Sequence, residues 1–209
     1  MELQSQPDDI IILNRNIRLE DNAALYYGSL RQNYLVLYVF DEKYWTSNGR
    51  SPRQARFLFD CLKELDDRLL HCNSCIYIFD GSYDALTLWI ESYSSKASIH
   101  LNHLTDTEHL AQQLKKFKAH HSKRRELKIY RDFGIQVGNV DRDTWSKDWR
   151  ELMNSPLLPA PKASRVKNSC SLLRFSAFHP CILNKHQPYE IFQRGGSTQA
   201  ANLLETFLA

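Results

Sequence analysis

The order of its apolar runs limits what this chain can fold into more than any other feature. Short stretches rich in β-branched and aromatic residues recur at 10–13 (IIIL), 34–40 (YLVLYVF), 75–79 (CIYIF), 97–101 (ASIHL) and 127–130 (LKIY). Their apolar residues are mostly consecutive rather than alternating, the pattern of strands buried on both faces. Between the runs the spacing turns helical. Leu58, Cys61, Leu62, Leu65 and Leu69 fall at i, i+3, i+4, i+7 and i+11, with shorter versions at Leu86, Trp89, Ile90 and Tyr93 and at Leu110, Leu114 and Phe117. Strands alternating with helices need crossover connections, so the expected fold is α/β: an open, doubly wound, five-stranded parallel sheet of Rossmann-like type. Ligands of such sheets sit beyond the carboxyl ends of the strands, near the point where strand order reverses.

With 209 residues, 43% of them hydrophobic, the chain can bury one sizeable core. The pattern assigns residues 1–153 to that α/β domain, ending in a helix over 142–153 that places Trp145, Trp149, Leu152 and Met153 on one side. Residues 154–196 read as an extended linker, because NSPLLPAPKASRVKNSC carries three prolines among small and polar residues. A terminal amphipathic helix follows over 197–209, capped at Ser197 or Thr198, with Ala200, Leu203, Leu204 and Phe207 on its apolar stripe. That stripe either folds back on the sheet or awaits a partner chain, and fold-back is the simpler expectation.

Several functional classes are excluded or weakened by composition. A formal charge of +3 is too small to mark an independent nucleic-acid binder. Five cysteines, an odd number, with no charged-then-apolar leader and no long apolar span, point to a reduced cytoplasmic protein that does not enter a membrane. Only 7 glycines are present, and neither G-x-G-x-x-G nor G-x-x-x-x-G-K follows a strand. HCNSC (71–75) pairs Cys72 with Cys75 but lacks a second ligand pair for zinc, so no metal is expected. The basic run KKFKAHHSKRR (115–125) reads as a solvated helix end whose cations offset the carboxyl-end dipole.

Two polar stretches sit where a ligand would be met. NRNIRLEDNAAL (14–25) directly follows the first strand; Asp21 or Asn22 can cap the next helix, while Arg15 and Arg18 either pair with nearby carboxylates or clamp a planar or anionic group. SPRQ (51–54) reads as a capping box with proline at the first helical position, and the flanking Arg50 and Arg53 also suit an anionic or carbonyl-rich ligand.

Four stretches, in order, resemble the N-terminal α/β domain of the DNA photolyase and cryptochrome family. ILNRNIRLEDNAAL (12–25) keeps Arg15, Arg18, Asp21, Asn22, Ala24 and Leu25 at the positions of the family's opening pattern W-F-R-R-D-L-R-x-x-D-N-x-A-L. LYVFDEKYW (37–45) resembles the second strand and its turn, SPRQARFLFDCLKELDDRL (51–69) the following helix, and GGSTQAANLLETFL (195–208) the family's G-G-E-T-A-A-x-x-x-L-E-x-F-L helix. The resemblance implies a domain that binds an antenna chromophore (a flavin, a deazaflavin or a folate) and passes its excitation to FAD in a separate helical domain. There reduced FAD donates an electron to a pyrimidine dimer.

The 209 residues contain no counterpart of that helical domain, so the chain alone is expected to hold no FAD, no catalytic residue and no independent DNA site. By resemblance, Arg15, Arg18, Asp21, Asn22, Asp41, Asn48, Arg50, Gln54 and Glu108 are the candidate chromophore-binding residues. Asn48 stands where folate-binding members carry a histidine, and Glu108 would match their pterin-contacting acid but lacks the surrounding family pattern rich in Tyr, Arg and Asp, which leaves a flavin or deazaflavin ahead of a folate. Partners implied are the FAD-binding helical domain or another chain held by the terminal helix. Two rival readings stay open: a single-domain nucleotide-binding protein of the same sheet class, and a partner-binding module.

Overall fold

The computed structural model describes residues 6–47, 50–103, 108–131, 141–165, 170–184 and 193–208. All five expected strands are present: β1 (Asp9–Leu13), β2 (Tyr34–Phe40), β3 (Ile76–Asp80), β4 (Ser98–Asn102) and β5 (Leu127–Tyr130). They lie parallel in the order β5-β4-β1-β2-β3, with Ile11 opposite both Val36 and His100. A two-residue strand, β6 (Leu173–Arg174), is added antiparallel to β3. Strand order therefore reverses between β1 and β4.

The helices are α1 (Ala23–Gly28), α2 (Glu42–Ser47), α3 (Pro52–Leu70), α4 (Tyr83–Tyr93), α5 (Glu108–His121), α6 (Arg142–Met153) and α7 (Ser197–Leu208). Successive strand residues point to opposite faces, and each face has its own core. Ile11, Leu13, Val36, Ile76 and Ile78 pack with Leu25 of α1 and Leu62, Leu65 and Leu69 of α3. Ile10, Ile12, Leu35, Leu37 and Ile99 pack with Leu86 and Ile90 of α4 and Leu114 and Phe117 of α5. Each such side chain contributes about 1.5–3 kcal/mol on burial, which is why unalternating runs suit this sheet. Among the described residues no helix is long and apolar enough to cross a membrane.

The described parts of the proline-rich segment lie along the body. The Leu158 carbonyl accepts the Asp21 N–H at 2.8 Å, the Lys162 carbonyl accepts the Tyr34 hydroxyl at 2.8 Å, and Ile182 is buried. Over 156–165 the chain forms no helix or strand, and it is held down by tertiary hydrogen bonds that composition does not display.

The terminal helix does not fold back. Thr198–Leu208 of α7 is exposed on every side, with Leu203 52%, Leu204 57% and Phe207 85% accessible. Its first turn alone is anchored: Glu64 of α3 accepts the Thr198 N–H at 3.0 Å and the hydroxyls of Ser197 and Thr198. A Cβ at Gly195 would collide with the Phe57 carbonyl, so only glycine lets the chain pass this close to α3.

Candidate functional site

The polar groups after β1 divide into two sets. One set closes the point where strand order reverses. Asn22 is the N-cap of α1: its Oδ1 accepts the Leu25 N–H at 3.2 Å, and its Nδ2 donates to the Asn16 and Arg18 carbonyls at 2.8 and 3.2 Å. Asn102, the last residue of β4, donates to Asn22 Oδ1 at 2.8 Å and accepts the Ala24 N–H at 3.0 Å. Asn14 belongs to both sets: it donates to the Asn102 carbonyl at 2.8 Å and also lines the adjoining cleft. Arg18 donates to the Asp21 carbonyl at 2.9 Å and to its carboxylate at 3.2 Å, across a turn in which Asp21 takes φ 51°. Asn22 and Asn102 are buried, so these bonds serve the fold.

The second set lines a cleft of about 550 Å³ beside that plug, over the carboxyl tips of β1, β2 and β3. Arg15 enters from the β1 end. Tyr38 and Asp41 come from the end of β2, Tyr44 and Trp45 from α2, and Gln54, Phe57, Leu58 and Cys61 from α3. Gly81, Ser82 and Tyr83 bring in the start of α4, Leu110 and Gln113 come from α5, and Ser197 and Ala200 from α7. The order of elements explains much of the convergence: α2, α4 and α5 each follow a strand, and α3 begins five residues after α2, so several helix starts crowd one mouth.

Local geometry orders the lip. Asp41 Oδ1 accepts the Tyr44 N–H at 2.9 Å, which fixes the start of α2. Arg50 lies over the rings of Tyr44 and Trp45, its guanidinium carbon 5.5 and 5.2 Å from their centroids. Trp45 stacks in turn on buried Phe40 at 5.4 Å. Ser51 and Gln54 form the expected capping box: Gln54 Oε1 accepts the Ser51 N–H at 3.0 Å, so the group Gln54 can still offer the cleft is its amide nitrogen. Burial pushes the Cys61 thiol up, leaving a neutral wall at that point. The lining is thus aromatic, with two cations and one carboxylate at the rim, and can hold a planar conjugated ring with a few polar substituents.

Of the nine residues expected at the site, Arg15, Asp41, Arg50 and Gln54 line the cleft. Arg18, Asp21 and Asn22 belong to the plug instead, because their hydrogen bonds hold the β1–α1 turn. Asn48 lies outside the described residues; Glu108 opens α5, but its side chain is outside them too. Sequence reasoning missed Tyr38, Tyr44, Trp45, Tyr83 and Gln113. The density of aromatics in YVFDEKYW was the available signal for three of these; Gln113 carried none.

Solved structures share this architecture. A photolyase from Sulfolobus tokodaii, described as holding two FAD molecules and implying a novel light-harvesting cofactor, matches 94% of this chain with a TM-score of 0.70 at 20% identity. A Synechocystis cryptochrome matches 100% of it with a TM-score of 0.70 at 16% identity, and a class III photolyase from Agrobacterium tumefaciens with a TM-score of 0.66 at 15% identity. The chain spans 46%, 47% and 45% of the lengths of these three proteins. No curated protein matches it in sequence. The family model for DNA photolyase covers residues 10–128, more than half of the chain and every strand from β1 to the start of β5. The chain therefore belongs to the DNA photolyase family, which includes the cryptochromes, and carries the α/β domain of that family.

Proposed function

We propose that the cleft binds a planar antenna chromophore, a flavin or deazaflavin before a folate, and that the chain is the light-gathering part of a photolyase or cryptochrome. The observation that carries this reading is the lining: Tyr38, Tyr44, Trp45 and Tyr83 surround about 550 Å³, with Arg15, Arg50, Asp41 and Gln54 at its rim. Aromatic walls hold a conjugated ring by stacking, and the few rim groups can orient its carbonyls and ring N–H groups. A nucleoside triphosphate fits less well, because the lining offers two arginines and no glycine-rich loop for three phosphates. When bound, such a group supplies absorption of near-ultraviolet or blue light; Arg50 and Trp45 would hold its ring, and Asp41 would accept a ring N–H.

Repair or signalling chemistry belongs, in this reading, to an FAD-binding helical domain or partner chain that covers Leu203, Leu204 and Phe207 of α7. The exposure of that stripe supports it, as does a chain length under half that of the matched structures. The test is a spectroscopic titration of the purified chain with FMN, a deazaflavin and methenyltetrahydrofolate, with ATP followed by calorimetry. Saturable binding of a flavin or deazaflavin is expected. Binding of ATP alone would transfer the chain to the nucleotide-binding reading, and binding of none of the four would remove the antenna proposal.

A further inference from the structure

One wall of the cleft is not part of the α/β body. Gly196, Ser197 and Ala200 at the start of α7 line it beside Phe57, Leu58 and Cys61 of α3. That turn is seated on a row of acceptors along α3. Asp60 Oδ2 takes the Gly195 N–H at 3.4 Å, Cys61 Sγ the Gly196 N–H at 3.2 Å, and Glu64 Oε1 the Thr198 N–H and hydroxyl at 3.0 Å each. Ser197 also donates to Glu64, and Arg68, one turn further along α3, donates to Ser197 Oγ at 3.5 Å. Burial tends to raise the Glu64 carboxyl, but hydrogen bonds from Ser197 and Thr198, with Arg68 nearby, outweigh it and hold the group below 4.5. An ionised carboxylate therefore meets the positive end of α7. Past Thr198, among the described residues, the hydrogen bonds of α7 stay within the helix, and its side chains are exposed through Leu208.

We propose that the first turn of α7 is a ligand-gated wall: a planar ligand in the cleft holds α7 on α3 and so presents Leu203, Leu204 and Phe207 in one orientation, with Glu64 as the positioning residue. This coupling rests on the cleft taking a flavin or deazaflavin. A helix of 12 residues with no packed face is marginal in water, because its first turn fixes more backbone than one hydrogen bond repays. Here α3 supplies that nucleus by fixing Gly196 to Thr198. Gly196, at φ 124° and with Glu64 Oε2 where a Cβ would stand, lets the chain turn into the helix over that carboxylate. When the turn lifts from Glu64, the cleft loses the surface of Gly196, Ser197 and Ala200. A ligand touching that surface therefore binds the seated form more tightly than the lifted one, and shifts α7 towards its seat. The linkage is reciprocal: a lower seated fraction weakens the ligand by the same factor. Glu64 is absent from the cleft lining, so it acts on the ligand through α7 and not by contact.

The test is hydrogen exchange of the full chain, read by mass spectrometry with and without saturating FMN or a 5-deazaflavin, alongside absorbance titrations of both. Peptides over 199–208 should exchange about fivefold more slowly with ligand bound, the lower end of coupling between sites. They should slow more than peptides over α1, none of whose residues lines the cleft and which report overall stabilisation by the ligand. Glu64→Ala should weaken ligand affinity about fivefold, leave the circular dichroism of the body unchanged and abolish the slowing over 199–208. Glu64→Gln, whose amide oxygen can still accept the Thr198 N–H, should recover most of the affinity. Saturable binding that leaves exchange over 199–208 unchanged in the native chain would overturn the coupling, and so would native affinity in Glu64→Ala. Uptake of neither ligand would instead remove the flavin reading of the cleft, and the coupling with it.

Discussion

The plug and the cleft sit side by side at one end of the sheet and are built from similar residue types. In the plug, Asn14, Asn22 and Asn102 bond one another and the ends of β1, β4 and α1. In the cleft, Asp41 and Gln54 each use an acceptor on a helix start, while rings and guanidinium groups remain at the opening. The difference lies in burial. A buried amide must bond to protein, whereas one at an open rim can keep a group for a ligand. Position on a ligand-binding tip of a sheet is therefore no sufficient sign of a binding residue.

Acid should separate the buried polar groups from the cleft most strongly. His121 is buried against Phe117 with no hydrogen-bond partner for either ring nitrogen among the described residues. Burial, with Arg125 and His120 nearby, lowers it from 6.5 to about 4. A lowered folded value means that stability is full above pH 6.5 and falls as the pH drops towards about 4, by roughly 3 kcal/mol. Urea midpoints at several pH values should show this slope, and His121→Phe should flatten it. Asp9 adds a later loss of the same sign: its carboxyl is held below 3.8, so its contribution disappears only as the pH falls beneath that value.

Asn102→Leu attacks the plug itself. It strands the buried Ala24 N–H and removes a donor from Asn22, and should cost about 2–3 kcal/mol in denaturant unfolding. Arg50→Ala attacks the rim: chromophore affinity should fall about tenfold, roughly 1.4 kcal/mol, by absorbance titration, with thermal stability changed by less than about 1 kcal/mol. An Arg50→Ala protein that binds normally but unfolds early would assign that residue to the plug's class. The smallest effect is expected for Arg18→Ala. Its pair with Asp21 is 37% and 45% exposed and should contribute under about 1 kcal/mol by the same unfolding assay, with chromophore affinity unchanged.

Legibility followed the range of the forces involved. The capping box at Ser51, the Asn22 cap and the start of α6 rest on bonds within a few residues, and the sequence displays those partners, whereas the start of α7 is held by Glu64 of α3. The Asn14–Asn102 and Asn22–Asn102 contacts join residues 88 and 80 apart, so nothing local sets Asn102 aside from other strand-end asparagines. Arg15 and Arg18 show the same limit: three residues apart, they enter the cleft and the plug respectively.

By itself the sequence determined the five parallel strands and the helices other than α2, because hydrophobic period and capping chemistry act over a few residues and leave a readable pattern; α2 and the short strand β6 were not legible in it. Only the tertiary structure decided which polar groups at the strand tips bond to protein and which line the opening, and that the stripe of α7 faces solvent. Those outcomes depend on where distant segments cross, and on whether a side chain meets another chain segment or water when it gets there.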